Sequence, residues 1–189
     1  ATAATVTPAS RMRGGMDDSD SLIAAWRTNN RATTFLLERL PPDVWSSPVP
    51  GVPRLTVRTI AAHLHNSRAS WIRTLGAPHG LPVPDHVDPL HATRREVVAA
   101  LRKSGRDMSR LIRFGLEQDG RIPPTPKYVW RNLPLDVPHV LAYFVAHEGH
   151  HRGQSVLAAR QLGQRLPKEV MEGLWAFTRW SKEGEARKA

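Results

Sequence analysis

The 189-residue sequence contains no cysteine. That excludes disulfides, thiolate metal ligands and a cysteine nucleophile together. Any bound metal must therefore be held by imidazole and carboxylate groups, and any thiol chemistry must use a thiol brought from outside. The sequence also has no strand-like alternation, no internal repeat, and no apolar run near the roughly 18 residues a membrane helix requires. Acidic side chains are few: 17 Asp and Glu stand against 27 Lys and Arg, a formal net charge of +10. Such a surface attracts nucleic acid, acidic membranes or small anions. Its basic residues are scattered through every segment, without a dense run or a basic–aromatic repeat, so neither nucleic acid nor a membrane is the expected partner.

What is present fits one domain with a real core, with 40% hydrophobic and 23% charged residues. Residues 1–15 are small and polar apart from Arg11 and Arg13, and lack the apolar centre of a secretory signal. They read as an N-terminal extension, residues 16–189 as a single helical domain, and the cytoplasm as its compartment.

Apolar residues recur at helical spacing in four long segments. The first runs from a cap at Asp20 or Ser21 to about Leu40 and is stopped by Pro41-Pro42. A second begins after Thr56 as N-cap, with Leu55 and Ile60 placed as a hydrophobic staple, and ends at Gly76. Thr93 and Glu96 form a capping box for a third, which reaches about Gln118. Asp136 caps a fourth that continues to Leu162 and is stopped by Gly163. Pro167 opens a short fifth helix carrying Leu174, Trp175, Phe177 and Trp180. The proline-rich stretches 76–91 and 119–135 are long connections of the kind that cross a bundle or border a site. The class is all-α, a four-helix bundle with a short C-terminal helix.

The informative segment is 144-FVAHEGHHRGQSVL-157. His147 and His151 are one turn apart on one helical face, a spacing at which two imidazoles reach one ion. Nine histidines give about 0.4 such pairs by chance, so spacing alone is weak. Both also align with Val140, Phe144, Ala158 and Leu162, which places them on the inward stripe. Two adjacent inward imidazoles are costly as cations and need partners when neutral, a need met by a shared metal or by hydrogen bonds in the core. His63 and His65 on the second helix are the candidates for a third ligand, and the helical wheel leans to His63 without deciding. His79, His86, His91 and His139 are expected on the surface, and His150 on the outer side of the fourth helix.

Residues 147–151 also spell H-E-x-x-H, the zinc-protease signature in which the glutamate activates a metal-bound water. No histidine follows His151, however, and Glu169 and Glu172 lie beyond helix breakers, so a metallohydrolase is a lesser alternative. For Glu148 the preferred reading is an i,i+4 pair with Arg152. The sharper one is a catalytic proton-transfer group near the metal. Gly153 is expected to permit close approach of another helix or chain.

The segment HEGHHRGQ, preceded by a helix containing TVRTIAAHL, resembles the DinB-like (YfiT-like) superfamily of four-helix-bundle metalloproteins. That resemblance implies an up-down-down-up bundle, frequent homodimerisation, and His63, His147 and His151 as ligands of one divalent metal ion. Imidazoles suit zinc, nickel, copper or ferrous iron and do not choose among them. It further implies a transferase that uses a low-molecular-weight thiol of the bacillithiol or mycothiol type on an electrophile. A non-catalytic metal-binding or stress-response bundle is the alternative. No substrate-binding residue is assigned.

Overall fold

The computed structural model describes residues 18–129 and 132–186; the N-terminal extension expected at 1–15 lies outside them. Helices α1 (Asp18–Arg39), α2 (Val57–Leu75), α3 (Arg94–Glu117) and α4 (Val137–Gln161) form the bundle, followed by α5 (Lys168–Gly173) and α6 (Phe177–Ala186). Among the described residues there is no strand, only the isolated bridges Val49–Val52 and Arg121–Asp136. No described helix is long and apolar enough to cross a membrane.

Local chemistry accounts for most of the boundaries. Thr56 and Thr93 each close a full capping box, with Thr59 and Glu96 respectively. Gly163, with φ of 77°, ends α4 in the left-handed conformation that glycine adopts without strain. Asp136 occupies the N-cap of α4 but makes no side-chain cap hydrogen bond. Pro138, inside the first turn, removes one of the N–H groups such a cap would use. The single fifth helix expected after Pro167 is two short ones, broken between Gly173 and Phe177.

Contacts between named residues fix the helix directions. Along α1 and α3, Trp26 donates to the Gly105 carbonyl, Arg102 pairs with Glu38 and Arg113 with Asp20, so these helices are antiparallel. Along α1 and α4, Trp26 meets Phe144, Asn29 meets Glu148 and Thr33 meets Arg152, so these run parallel. Along α2 and α4, His63 faces His147 while Trp71 faces Tyr143, which is antiparallel. The order is up-down-down-up, with α1 and α2 at opposite corners.

Two apolar clusters fill the bundle. Leu36, Leu40, Val57, Leu64, Leu101 and Trp180 belong to one, and Trp26, Ile72, Leu75, Met108, Leu111 and Phe144 to the other. Buried polar side chains (Asn29, Thr33, Arg68, Ser104 and Glu148) join the four helices in addition. That polar group underlies the candidate site.

Candidate metal centre

α2 and α4 meet at neighbouring corners, and their facing edges carry the histidines. His63 Nε2 lies 3.2 Å from His147 Nε2, and His151 Nε2 lies 3.2 Å from the same atom. One ligand atom from each ring falls within 4.8 Å of the others. Donor nitrogens around a tetrahedral ion with bonds of about 2.0 Å stand about 3.3 Å apart, so the two spacings at His147 match that donor set.

Proton bookkeeping points the same way. His151 Nδ1 donates to Gln154 Oε1 at 2.7 Å, because the amide oxygen can only accept. In the neutral ring this leaves His151 Nε2 as a lone pair aimed at His147. His147 Nε2 has at most one hydrogen for two facing nitrogens. The neutral rings can therefore make only one of these two contacts a linear hydrogen bond, and the other goes without unless a cation sits between the nitrogens. Protonation is a poor remedy, since burial first, and the neighbouring His151 and His63 next, lower the His147 pKa to about 4. Burial also lowers that of His151, against the pull of the Gln154 hydrogen bond.

His63 is exposed and His147 and His151 are half-buried, so the cluster opens to solvent on the α2 side. This differs from the inward placement that the α4 wheel suggested. The buried face of α4 carries Leu141, Phe144, Glu148, Ser155 and Ala159, and the histidines flank it. His65, the competing candidate, is buried on the other side of α2. Its Nε2 donates to the Asp85 carbonyl at 2.8 Å and its Nδ1 lies 3.1 Å from Ser104 Oγ, so neither nitrogen is free for an ion. His79, His86, His91, His139 and His150 are exposed, as expected.

Glu148 is fully buried, and its main partner is not the neighbour along its helix. Arg68 of α2 approaches Oε1 with Nε at 2.8 Å and Nη2 at 2.5 Å, while Arg152 stands 4.0 Å from Oε2. Oε2 accepts from Asn29 at 2.9 Å and Thr33 at 2.7 Å. Arg152 instead binds Asn29 Oδ1 and Thr33 Oγ1, each at 2.8 Å. The preferred i,i+4 pair is thus the weakest contact of this carboxylate. A donor 80 positions away took the place that the local spacing suggested.

Glu169 and Glu172 are exposed on α5 and stand outside the histidine group. At Gly153 an added Cβ would meet nothing within 4 Å, so no described part of this chain approaches it closely. The proline-rich link after α2 does border the site's helix. Asn66 pins it by donating to the Val87 carbonyl and accepting from the Val87 N–H, and Ser70 contacts His86 at 3.2 Å.

No curated protein matches the chain. The model of the DinB family matches residues 16–176, most of the sequence, and the chain belongs to that family.

Proposed function

We propose that this DinB family member is a metal-dependent transferase that joins a low-molecular-weight thiol of the bacillithiol or mycothiol type to an electrophilic carbon. The observation that carries the reading is the convergence of three imidazole nitrogens at an edge open to solvent, in a chain without a thiol of its own. His63, His147 and His151 would hold one divalent ion and leave coordination positions free, the arrangement of a reactive rather than a sealed site. Such an ion supplies a lowered pKa for a thiol from outside. The thiol sulfur would bond to the electrophilic carbon; in a displacement the proton and the displaced group would leave to solvent, and in an addition the proton would end on the adduct.

The protein's own residues set the geometry. Gln154 holds the His151 ring with its Nε2 toward the cluster. Glu148 is a positioning residue: its carboxylate ties α4 to α1 and α2 and so fixes the backbone from which both α4 histidines project. With its oxygens engaged by Arg68, Asn29 and Thr33, it is poorly placed to activate a water as a zinc protease requires. Exposed Trp175 and Phe177 favour a homodimer, and we place the protein in the cytoplasm.

The test begins with metal content of untagged protein, parent against His151→Ala. It continues with a panel of thiols and electrophiles on the metal-loaded chain. Metal in the parent alone, with thiol-dependent turnover lost in the variant, supports the reading. Stoichiometric metal without turnover of any thiol–electrophile pair favours a binding protein instead.

A further inference from the structure

A second concave site lies on the opposite side of the bundle. It is a cleft of about 520 Å³ between α1, α3 and α6, and no histidine-bearing helix contributes to it. Its walls carry Arg27 and Arg31 from α1 and Arg102, Arg106, Arg110 and Arg113 from α3. The floor is small and polar, with Asn30, Gly105 and Ser109. At Gly105 a Cβ would stand 2.5 Å from Asn30 Nδ2, so the missing side chain both lets α1 approach and leaves the floor open.

The described residues neutralise this charge only in part. Four carboxylates pair with four of the six arginines: Glu38 and Glu183 with Arg31, Glu38 also with Arg102, Asp107 with Arg110 and Asp20 with Arg113. Arg27 and Arg106 make no ion pair among the described residues. Arg31 Nη1 is buried without a hydrogen-bond partner, with Glu38 Oε2 3.5 Å away. An incompletely satisfied guanidinium group lining a cavity is a standing demand for an anion.

We propose that this cleft binds a small molecule carrying two or more phosphate or carboxylate groups. Its volume lies within the range of small-molecule sites, and planar guanidinium forks match both oxyanions. A single-stranded nucleic acid fits less well. The aromatic ring of the lining, Trp180, is buried and covered by Arg31, so no face is offered for base stacking. One wall, α6 with Trp180 and Glu183, lies beyond the residues that match the family.

Calorimetric titration of the full chain with inorganic pyrophosphate, and separately with citrate, at fixed ionic strength tests this. We expect one saturable site per chain for one of the two probes, and the better probe identifies the oxyanion. Arg27→Gln/Arg106→Gln should weaken it by about tenfold or more, the loss of one or two charge-assisted contacts. These arginines carry no ion pair, so the variant should melt like the parent. The control Arg73→Gln/Arg95→Gln removes two exposed arginines outside the cleft and should change affinity less than twofold, as should His151→Ala. The proposal is overturned by equal weakening in the control, by loss of binding in His151→Ala alone, or by no saturable binding at millimolar probe. Tighter, steeply salt-dependent binding of a single-stranded oligonucleotide would overturn it too.

Discussion

Arg68 and Glu148 face each other in the interior, with both side chains 1% exposed and Nη2 2.5 Å from Oε1. The pair joins α2 to α4 one residue from His147, so the two helices that supply the histidines are clamped directly behind them. The clamp extends sideways. Arg68 Nη1 also donates to Asn30 Oδ1 and to the Leu101 carbonyl, each at 2.8 Å, which brings α1 and α3 into the same network. Taking two charges out of water is offset only when nearly every donor and acceptor finds a partner. Here the partners come from all four bundle helices, which makes the network specify their register.

Removing one member should therefore be far worse than removing both. We expect Glu148→Ala to cost about 3–5 kcal/mol, because it leaves the Arg68 guanidinium buried and unpaired. Arg68→Met should cost a similar amount, and the double variant Arg68→Met/Glu148→Ala less than either single change. Urea denaturation of the four proteins measures this. Additive losses would mean that the pair contributes nothing as a pair.

Metal stoichiometry should separate the histidines by position. His63→Ala, His147→Ala and His151→Ala should each lose the ion from a chain that otherwise binds one, because two remaining imidazoles hold it poorly. His65→Gln should keep the metal and lose stability, since it breaks the Ser104 and Asp85 contacts. Glu148→Gln should also keep the metal. Elemental analysis after dialysis against a fixed free-metal buffer reads all five, and retention of the ion by His63→Ala would remove α2 from the site.

Most of the bundle and two of the three candidate histidines were legible from residue spacing, for identifiable reasons. Helix ends are written locally, in Thr56, Thr93 and Gly163, and the paired His147 and His151 follow from one helical turn. His63 against His65 was not legible from the wheel, because which flank of α2 faces α4 depends on packing; only the family resemblance chose. The Glu148 partner was missed for a related reason. Arg152 is four positions away and visible, whereas Arg68 becomes a neighbour only once α2 lies antiparallel to α4. The arginine cleft left a signal that a search for basic runs does not register. Arg102, Arg106, Arg110 and Arg113 are spaced at one turn each, so they form a stripe on one face of α3 rather than a run.

Gln154 offers a finer test, since it touches no ion. By accepting the His151 Nδ1 hydrogen it keeps Nε2 bare and pointed at His147. Gln154→Leu preserves volume and helix but frees the ring to rotate and to change tautomer. Loss of such an orienting contact weakens metal affinity by about 10–100-fold. Competition with a chelator of known affinity would measure it. An unchanged affinity would mean that packing alone holds the ring.

Acid should destabilise the metal-free protein through the same histidines. Burial and the neighbouring imidazoles lower the His147 pKa in the folded chain to about 4, against about 6.5 when unfolded. Between those values the unfolded chain binds the proton and the folded one does not, so stability rises with pH across the window and is lost as pH falls through it. His151 and His65, both lowered chiefly by burial, act in the same direction. Above about pH 6.5 this contribution is fully present and flat. Denaturation of chelator-treated protein at pH 7, 6 and 5 should show a falling midpoint, and His147→Gln should show a shallower fall. Equal slopes in the two proteins would mean that His147 is not held neutral by its surroundings, and the unsatisfied histidine contact would lose its force as an argument for a bound cation.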